Sequence, residues 1–363
     1  MAGIYIHVPF CASFCTYCGF YSEVLRDSAL AGRYVSALCR EAASQRGFFP
    51  QGAAIRTVYI GGGTPSLLSP SQFEDICAAL AASFDLSAVE EFTVEVNPDD
   101  ICRSGGRELL KAYRSCGVNR VSVGVQSFHD AHLKWMNRRH DAVEAGKAVE
   151  LLTGSFGNVS LDLIFGYSGL TDEEWEADIR KAAALGVQHI SAYQMSLDAG
   201  SMLSKLADKG RYAEPDEDAC RRQYFLLQDV LDEEGFVQYE ISNFCRPGFH
   251  SRHNSAYWAR EPYLGLGPGA HSFDGGRRRS WNVSDLRAWL DGAAAEGETL
   301  SDADIYNEKV MLGLRTSAGV EATLIGESAK HNLSFDAATG RYSIGRRDMF
   351  VSDSIIRDYL KTD

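Results

Sequence analysis

The sequence predicts an α/β fold built on a parallel sheet, and three observations predict it. Six short runs rich in β-branched residues recur between residues 3 and 196, a helical pattern follows each of the first five, and residues able to carry chemistry fall at the ends of the runs. Strands that alternate with helices require right-handed crossovers and hence parallel neighbours. The sheet then either closes as a barrel or stays open. In a barrel every strand end faces one mouth, so groups from separate segments can form one site; an open doubly wound sheet divides them between two edges.

The elements follow in order. GIYIHV (3–8) alternates as a strand, and a helix is expected over 28–46. IRTVYIGG (55–62) leads to a helix over 70–83, which Ser69 and Pro70 start. EFTVEVN (91–97) precedes a helix at 104–116, RVSVGVQ (120–126) one at 140–153, and NVSLDLIFG (158–166) one at 172–185, opened by Thr171 and Glu174. HISAYQMS (189–196) is the sixth strand. After about residue 205 the pattern changes to an acidic helix (214–234), a loop rich in Gly, Pro, His and aromatics (239–275), and helices at 283–296 and 301–316. We therefore expect a first domain over 1–210 and a smaller mixed one over 211–363.

The length of 363 residues suits one large domain with a smaller one. The balance of 36 Lys and Arg against 49 Asp and Glu leaves a net charge of −13, which disfavours a nucleic-acid partner. No apolar run approaches the roughly 20 residues of a membrane span. The opening MAGIYIHVPFC has neither the basic start nor the apolar stretch of a secretion signal, so a cytoplasmic protein with reduced cysteines is expected.

Three of the nine cysteines, Cys11, Cys15 and Cys18, fall together as CxxxCxxC, while the other six are scattered as small core residues would be. Three thiolates at this spacing can hold three irons of a 4Fe-4S cluster and leave the fourth iron open to a ligand. Structural zinc needs a fourth ligand, normally from a second pair that does not follow here. Other groups are less specific. Gly61–Gly63 could bring backbone amides close to a ligand, and a strand-to-helix turn wants glycine for steric reasons alone. Glu95 and Gln126 interrupt apolar strands, so each either meets a partner or faces a pocket. Arg138 fits a site or a solvated helix end.

The motif with Tyr17 in the aromatic place, CxxxCx(aromatic)C, resembles the defining motif of the radical S-adenosylmethionine superfamily. YIHVPFC, YIGGGTPS, VEVNP, VSVGVQSF, LDLIFG and GLGPGAHSF together resemble its coproporphyrinogen III oxidase-like branch, over nearly the whole chain. The resemblance implies a partial or complete (β/α) barrel with parallel strands, and S-adenosylmethionine chelated by the open iron and cleaved to a 5′-deoxyadenosyl radical. It places Tyr5 and Tyr17 near the cofactor and Gly62, Gly63 and Thr64 around its methionyl group. Glu95, Gln126, Arg138 and Asp162 become polar contacts to it.

Two departures from the oxidases of that branch are Phe20, where they carry a fourth cysteine, and the absence of an extended segment before Cys11. Both, with HNSAYW (253–258), resemble the heme-chaperone group of the branch. That resemblance implies heme as ligand, bound by His253 with Tyr257 and Trp258 beside the macrocycle, since imidazole ligates iron and aromatic rings pack on porphyrin; residue type alone favours His253 as a core histidine that hydrogen-bonds the loop. The loop outside the barrel pattern would leave those rings exposed unless a ligand covered them. His250 and His271 are further candidates. Acceptor hemoproteins, respiratory ones among them, and an electron donor such as flavodoxin or ferredoxin are the implied partners. The alternative is a radical oxidase that decarboxylates coproporphyrinogen III propionates. FGYSGLT (165–171), where relatives read Gly-Leu-Pro-Gly, should loosen the turn beside Asp162.

Overall fold

The computed structural model describes residues 2–326 and 332–361. The first strand, β1 (Ala2–Val8), is followed by a pair of two-residue strands, β2 (Phe10–Cys11) and β3 (Glu23–Val24), and then by β4 (Ile55–Gly62), β5 (Glu91–Val96), β6 (Arg120–Gln126), β7 (Val159–Phe165) and β8 (His189–Gln194). β1 and β4 to β8 pair in parallel and in sequence order, each with the next. That order is singly wound, which settles the choice left open by the sequence in favour of the barrel. The barrel is partial, because β1 and β8 do not meet and each instead takes on a further strand.

Those strands come from the second half of the chain. β9 (Val237–Gln238) and β10 (Asn243–Cys245) extend the sheet beyond β8. On the other side β11 (Tyr263–Leu266) runs parallel to β1, and β12 (His271–Phe273), β13 (Arg278–Trp281) and β14 (Glu296–Thr299) continue antiparallel. One twelve-stranded sheet thus runs across residue 210. A small separate sheet of β15 (Val320–Glu321), β16 (Ser334–Asp336) and β17 (Arg341–Ser343), with the helices Asp302–Leu314 and Ser352–Arg357, forms the mixed C-terminal part. Among the described residues no helix is long and apolar enough to cross a membrane.

The strand alternation explains why the barrel has a core outside and a site inside. Ile4, Ile6 and Val8, Val58 and Ile60, Phe92 and Val94, Val121 and Val123, and Leu161 and Leu163 are buried in the apolar cluster beneath the helices. The intervening positions turn inward and are mostly polar: Tyr5 and His7, Thr57 and Tyr59, Glu91 and Glu95, Arg120 and Ser122, Ser160 and Asp162, His189 and Ser191. Helix starts keep the expected chemistry, with capping boxes at Ser69/Gln72 and Thr171/Glu174.

Two expectations are corrected. The segment 239–275 is not an open loop, since it forms β10, the helix Arg252–Trp258, β11 and part of the β12 extension. The helix expected over 283–296 shortens to Leu286–Leu290, ending before Gly292 at φ +85°, and β14 then begins at Glu296. The turn after β7 is also not left loose. Gly166 N–H donates to Gln223 Oε1 at 3.0 Å, and Gln223 Nε2 donates to the Leu170 carbonyl at 3.1 Å, so one buried side chain clamps both sides of FGYSGLT.

Candidate functional site

The cysteine segment is held as a closed loop at the mouth of the barrel. β2 pairs with β3, and inside the loop the Thr16 hydroxyl donates to the Trp135 carbonyl at 2.9 Å. Asn137 Nδ2 donates to the Phe14 carbonyl at 2.7 Å, and Leu203 N–H to the Thr16 carbonyl at 2.8 Å. Residues distant in sequence therefore fix where the thiols point.

The three thiols line a cavity of about 420 Å³, whose walls also include Tyr17, Gly62, Gly63, Thr64, Glu95, Gln126, Arg138 and Asp162. A hydrogen-bond chain runs around one side of it. The Thr64 hydroxyl donates to Cys11 Sγ at 3.6 Å, and Asn97 Nδ2 donates to Thr64 Oγ1 at 3.2 Å. Arg138 then donates to Asn97 Oδ1 at 2.7 Å, to the Gly124 carbonyl at 2.6 Å and to Cys15 Sγ at 3.3 Å. This chain ties the cysteine loop to the ends of β4, β5 and β6. Its Arg138 brings a cation beside a sulfur ligand, and burial raises the thiol pKa of Cys11 and takes that of Cys18 up to about 11.

The opposite wall is anionic. Glu95 Oε1 accepts from the Tyr59 hydroxyl at 2.6 Å and Oε2 from Gly62 N–H at 3.0 Å. Asp162 accepts from the Ser122 hydroxyl at 3.3 Å. Burial pushes both carboxyls up, Glu95 to about 7 with a further push from Asp162. Two carboxyls that lose solvation together favour a cationic ligand, which offsets the penalty. Gln126 sits at φ +72°, an unfavourable backbone conformation for a side-chain-bearing residue, and it turns the end of β6 into the cavity.

Of the two readings left open for these glycines, the contacts of Gly62 and Gly63 favour the steric one. Gly62 N–H is held by Glu95 and Gly63 N–H by the Val8 carbonyl at 2.8 Å. Their need is steric. Gly62 has φ +105°, and a Cβ on Gly63 would come within 2.5 Å of the Phe10 carbonyl oxygen.

Tyr5 lines not this cavity but a neighbouring groove, where its hydroxyl lies 3.0 Å from His7 Nδ1. HNSAYW lies in a short helix, Arg252–Trp258, packed against β1 and β4. His253 is 2% exposed, with Nδ1 2.8 Å from Thr57 Oγ1 and Nε2 2.9 Å from the Tyr257 hydroxyl. Buried Glu91 accepts from the backbone N–H groups of Arg252 at 2.8 Å and His253 at 2.9 Å. The expected exposed aromatic loop is thus replaced by a buried, fully bonded imidazole, whose pKa burial lowers to about 3. Tyr257 lies between two grooves, and Trp258 faces the second of them, with its Nε1 buried and without a partner. We predict that His253→Ala lowers stability by roughly 2–4 kcal/mol, since it strands the Thr57 and Tyr257 hydroxyls in a buried place. An unchanged urea midpoint would show that these bonds do not hold the helix.

Asn97, Tyr59 and Ser122 were not legible as site residues. Asn97 reads as the cap of the helix Pro98–Cys102, yet its side chain makes no cap bond and turns to the cavity instead.

The residues present suit a cluster and its cationic ligand. Among the described residues no three His, Cys, Asp or Glu side chains converge closely on one point. A 4Fe-4S cluster places each thiolate on a separate iron. Arg138 Nε is buried in the wall without a partner, a donor left for a bound group.

Comparison with known proteins agrees with this geometry. Residues 5–182 match the Radical SAM superfamily model. The heme chaperone HemW of Lactococcus lactis subsp. lactis is 37% identical over 321 residues, covering 87% of this chain and 82% of that protein. HemW of Bacillus subtilis is 35% identical over 344 residues, covering 92% and 88%. Among solved structures, coproporphyrinogen III oxidase (HemN) from Escherichia coli superposes with a TM-score of 0.80 at 21% identity, over 99% of this chain and 89% of that one. Likeness at that identity shows a shared fold, whereas the relatives covering most of both lengths establish that the chain belongs to the HemW family of the radical SAM superfamily.

Proposed function

We propose that this chain carries a 4Fe-4S cluster on Cys11, Cys15 and Cys18, binds S-adenosylmethionine in the adjoining cavity, and captures heme for delivery to acceptor hemoproteins. The observation that carries the first two parts is the meeting of three thiols and two half-buried carboxyls on one cavity of about 420 Å³, within the usual size of a small-molecule site. Cys11, Cys15 and Cys18 hold the cluster. Glu95 and Asp162 face the sulfonium and ammonium, and Thr64, Gln126, Arg138 and Tyr17 shape the rest of the cavity. What the pair supplies when bound is one-electron reductive chemistry at the sulfonium. A flavodoxin- or ferredoxin-type protein is the electron donor in this reading, and the cytoplasm its setting.

The heme part is supported by the relatives, whose names describe heme chaperones. It is supported also by Phe20, which stands where a fourth cysteine distinguishes the oxidases. Tyr257 takes part in it as a ring wall, oriented by His253 through their hydrogen bond. The test is anaerobic reconstitution with iron and sulfide, followed by incubation with hemin and, separately, with coproporphyrinogen III. Retention of hemin with no vinyl formation or carbon dioxide release is expected. Decarboxylation of coproporphyrinogen would replace the chaperone reading with the oxidase.

A further inference from the structure

The inner face of the barrel does not stop at β1. Tyr263 on β11 stands opposite Gly3 and Gly265 opposite Tyr5, so the inward positions continue sideways onto the added strands. Phe273 on β12 is paired with Tyr263 and with Arg279 of β13, and His271 with Trp281. These side chains share one face of the sheet. The helices Arg252–Trp258 and Asp302–Leu314 cover that face, Tyr257 and Leu312 contributing to the lining, and leave a groove of about 750 Å³.

The chemistry of the groove differs from that of the cysteine cavity. Its walls are aromatic, with Tyr5, Tyr21, Tyr257, Tyr263 and Phe273. Arg260 and Arg279 line it together and share one carboxylate, Glu308, at 2.9 Å and 2.7 Å; the second acid near Arg279, Glu298, is 3.7 Å away on the rim. His271 is exposed and stacks on Trp281 at 5.6 Å between ring centroids. Among the described residues neither of its ring nitrogens has a hydrogen-bond partner. The imidazoles of His7 and His253, by contrast, are engaged at both nitrogens. Phe20, 75% exposed, lines both this groove and the cysteine cavity, so the two sites adjoin.

Flat aromatic walls, one imidazole with open nitrogens and two guanidiniums that share a carboxylate are the contacts wanted by a planar, iron-bearing macrocycle with carboxylate arms. We propose that this groove is the heme site, with His271 as the iron ligand and Arg279 and Arg260 meeting the propionates. The assignment rests on the heme-carrying reading above and specifies where the cargo sits.

Hemin titration of the reconstituted full chain, followed by Soret absorption, tests it. Wild type should take up one hemin per chain with the spectrum of a ligated heme. His271→Ala should lose that spectrum and bind at least about tenfold more weakly, with iron and sulfide content unchanged as evidence of an intact fold. Arg279→Gln should weaken hemin more than its dimethyl ester, which lacks the propionate charges. Wild-type spectrum and affinity in His271→Ala would overturn the groove assignment and leave the heme reading standing. Failure of the wild type to retain hemin would overturn the heme reading and this assignment with it.

Discussion

Alanine at Cys11, Cys15 or Cys18 will abolish the iron-sulfur cluster, with iron and sulfide falling from about four of each per chain to near zero. The loss is expected to be all or none, because each thiolate serves a different iron and the loop offers no substitute. Cys39, Cys77, Cys102 and Cys116 are half-buried and pack on the core, and Cys220 and Cys245 are buried, so alanine at these positions should leave the iron content alone. Arg138→Leu should fall between the two. It removes the donor to Cys15 Sγ and opens the hydrogen-bond chain through Asn97 and Thr64, so the cluster should form but be lost faster to a chelator. Unchanged iron and sulfide after triple cysteine replacement would remove the cluster from this site.

Glu95→Gln will weaken S-adenosylmethionine binding by about tenfold to a hundredfold, the scale of a lost buried contact to a charged group, and Asp162→Asn will do so by a similar factor. Isothermal calorimetry on the reconstituted protein reads both. The pH dependence has a definite sign. The Glu95 carboxyl is raised to about 7 by burial and by Asp162, so in the free protein it is largely protonated at pH 6 and ionised at pH 8. A cationic ligand prefers the ionised form, and its affinity should therefore rise as pH rises through 7 and fall below it. Glu95→Gln should flatten that rise. Equal affinity at pH 6 and pH 8 in the wild type would mean that Glu95 does not face the positive charge.

Much of the barrel was legible because its signals are local. The six strands appear within a residue or two of their expected places, since alternating runs such as RVSVGVQ bury one face under helices and turn the other inward. The same alternation placed Glu95 and Asp162 on the inner face. Short elements were less legible. HNSAYW has the length of two helical turns and lies among Gly and Pro residues, so it reads as a loop; its helix is fixed by Glu91, which holds the N–H groups of its first turn from a strand 160 residues earlier. Tyr5 is placed near the cofactor by the family resemblance alone, and its strand position directs its hydroxyl to His7 and the neighbouring groove.

By itself the sequence determined the alternation of strands and helices, the inward polar positions and the cysteine spacing, because each depends on residues a few places apart. Only the tertiary structure decided that the sheet stays open between β1 and β8, that a short helix packs on β1 and β4, and which histidine keeps its ring nitrogens open. His253 meets Thr57 across 196 residues of chain, and no local pattern encodes that contact; it exists because the sheet curves far enough to bring β4 under the helix. His271, by contrast, is exposed at the start of β12, where its ring stacks on Trp281 of the next strand and its nitrogens stay open.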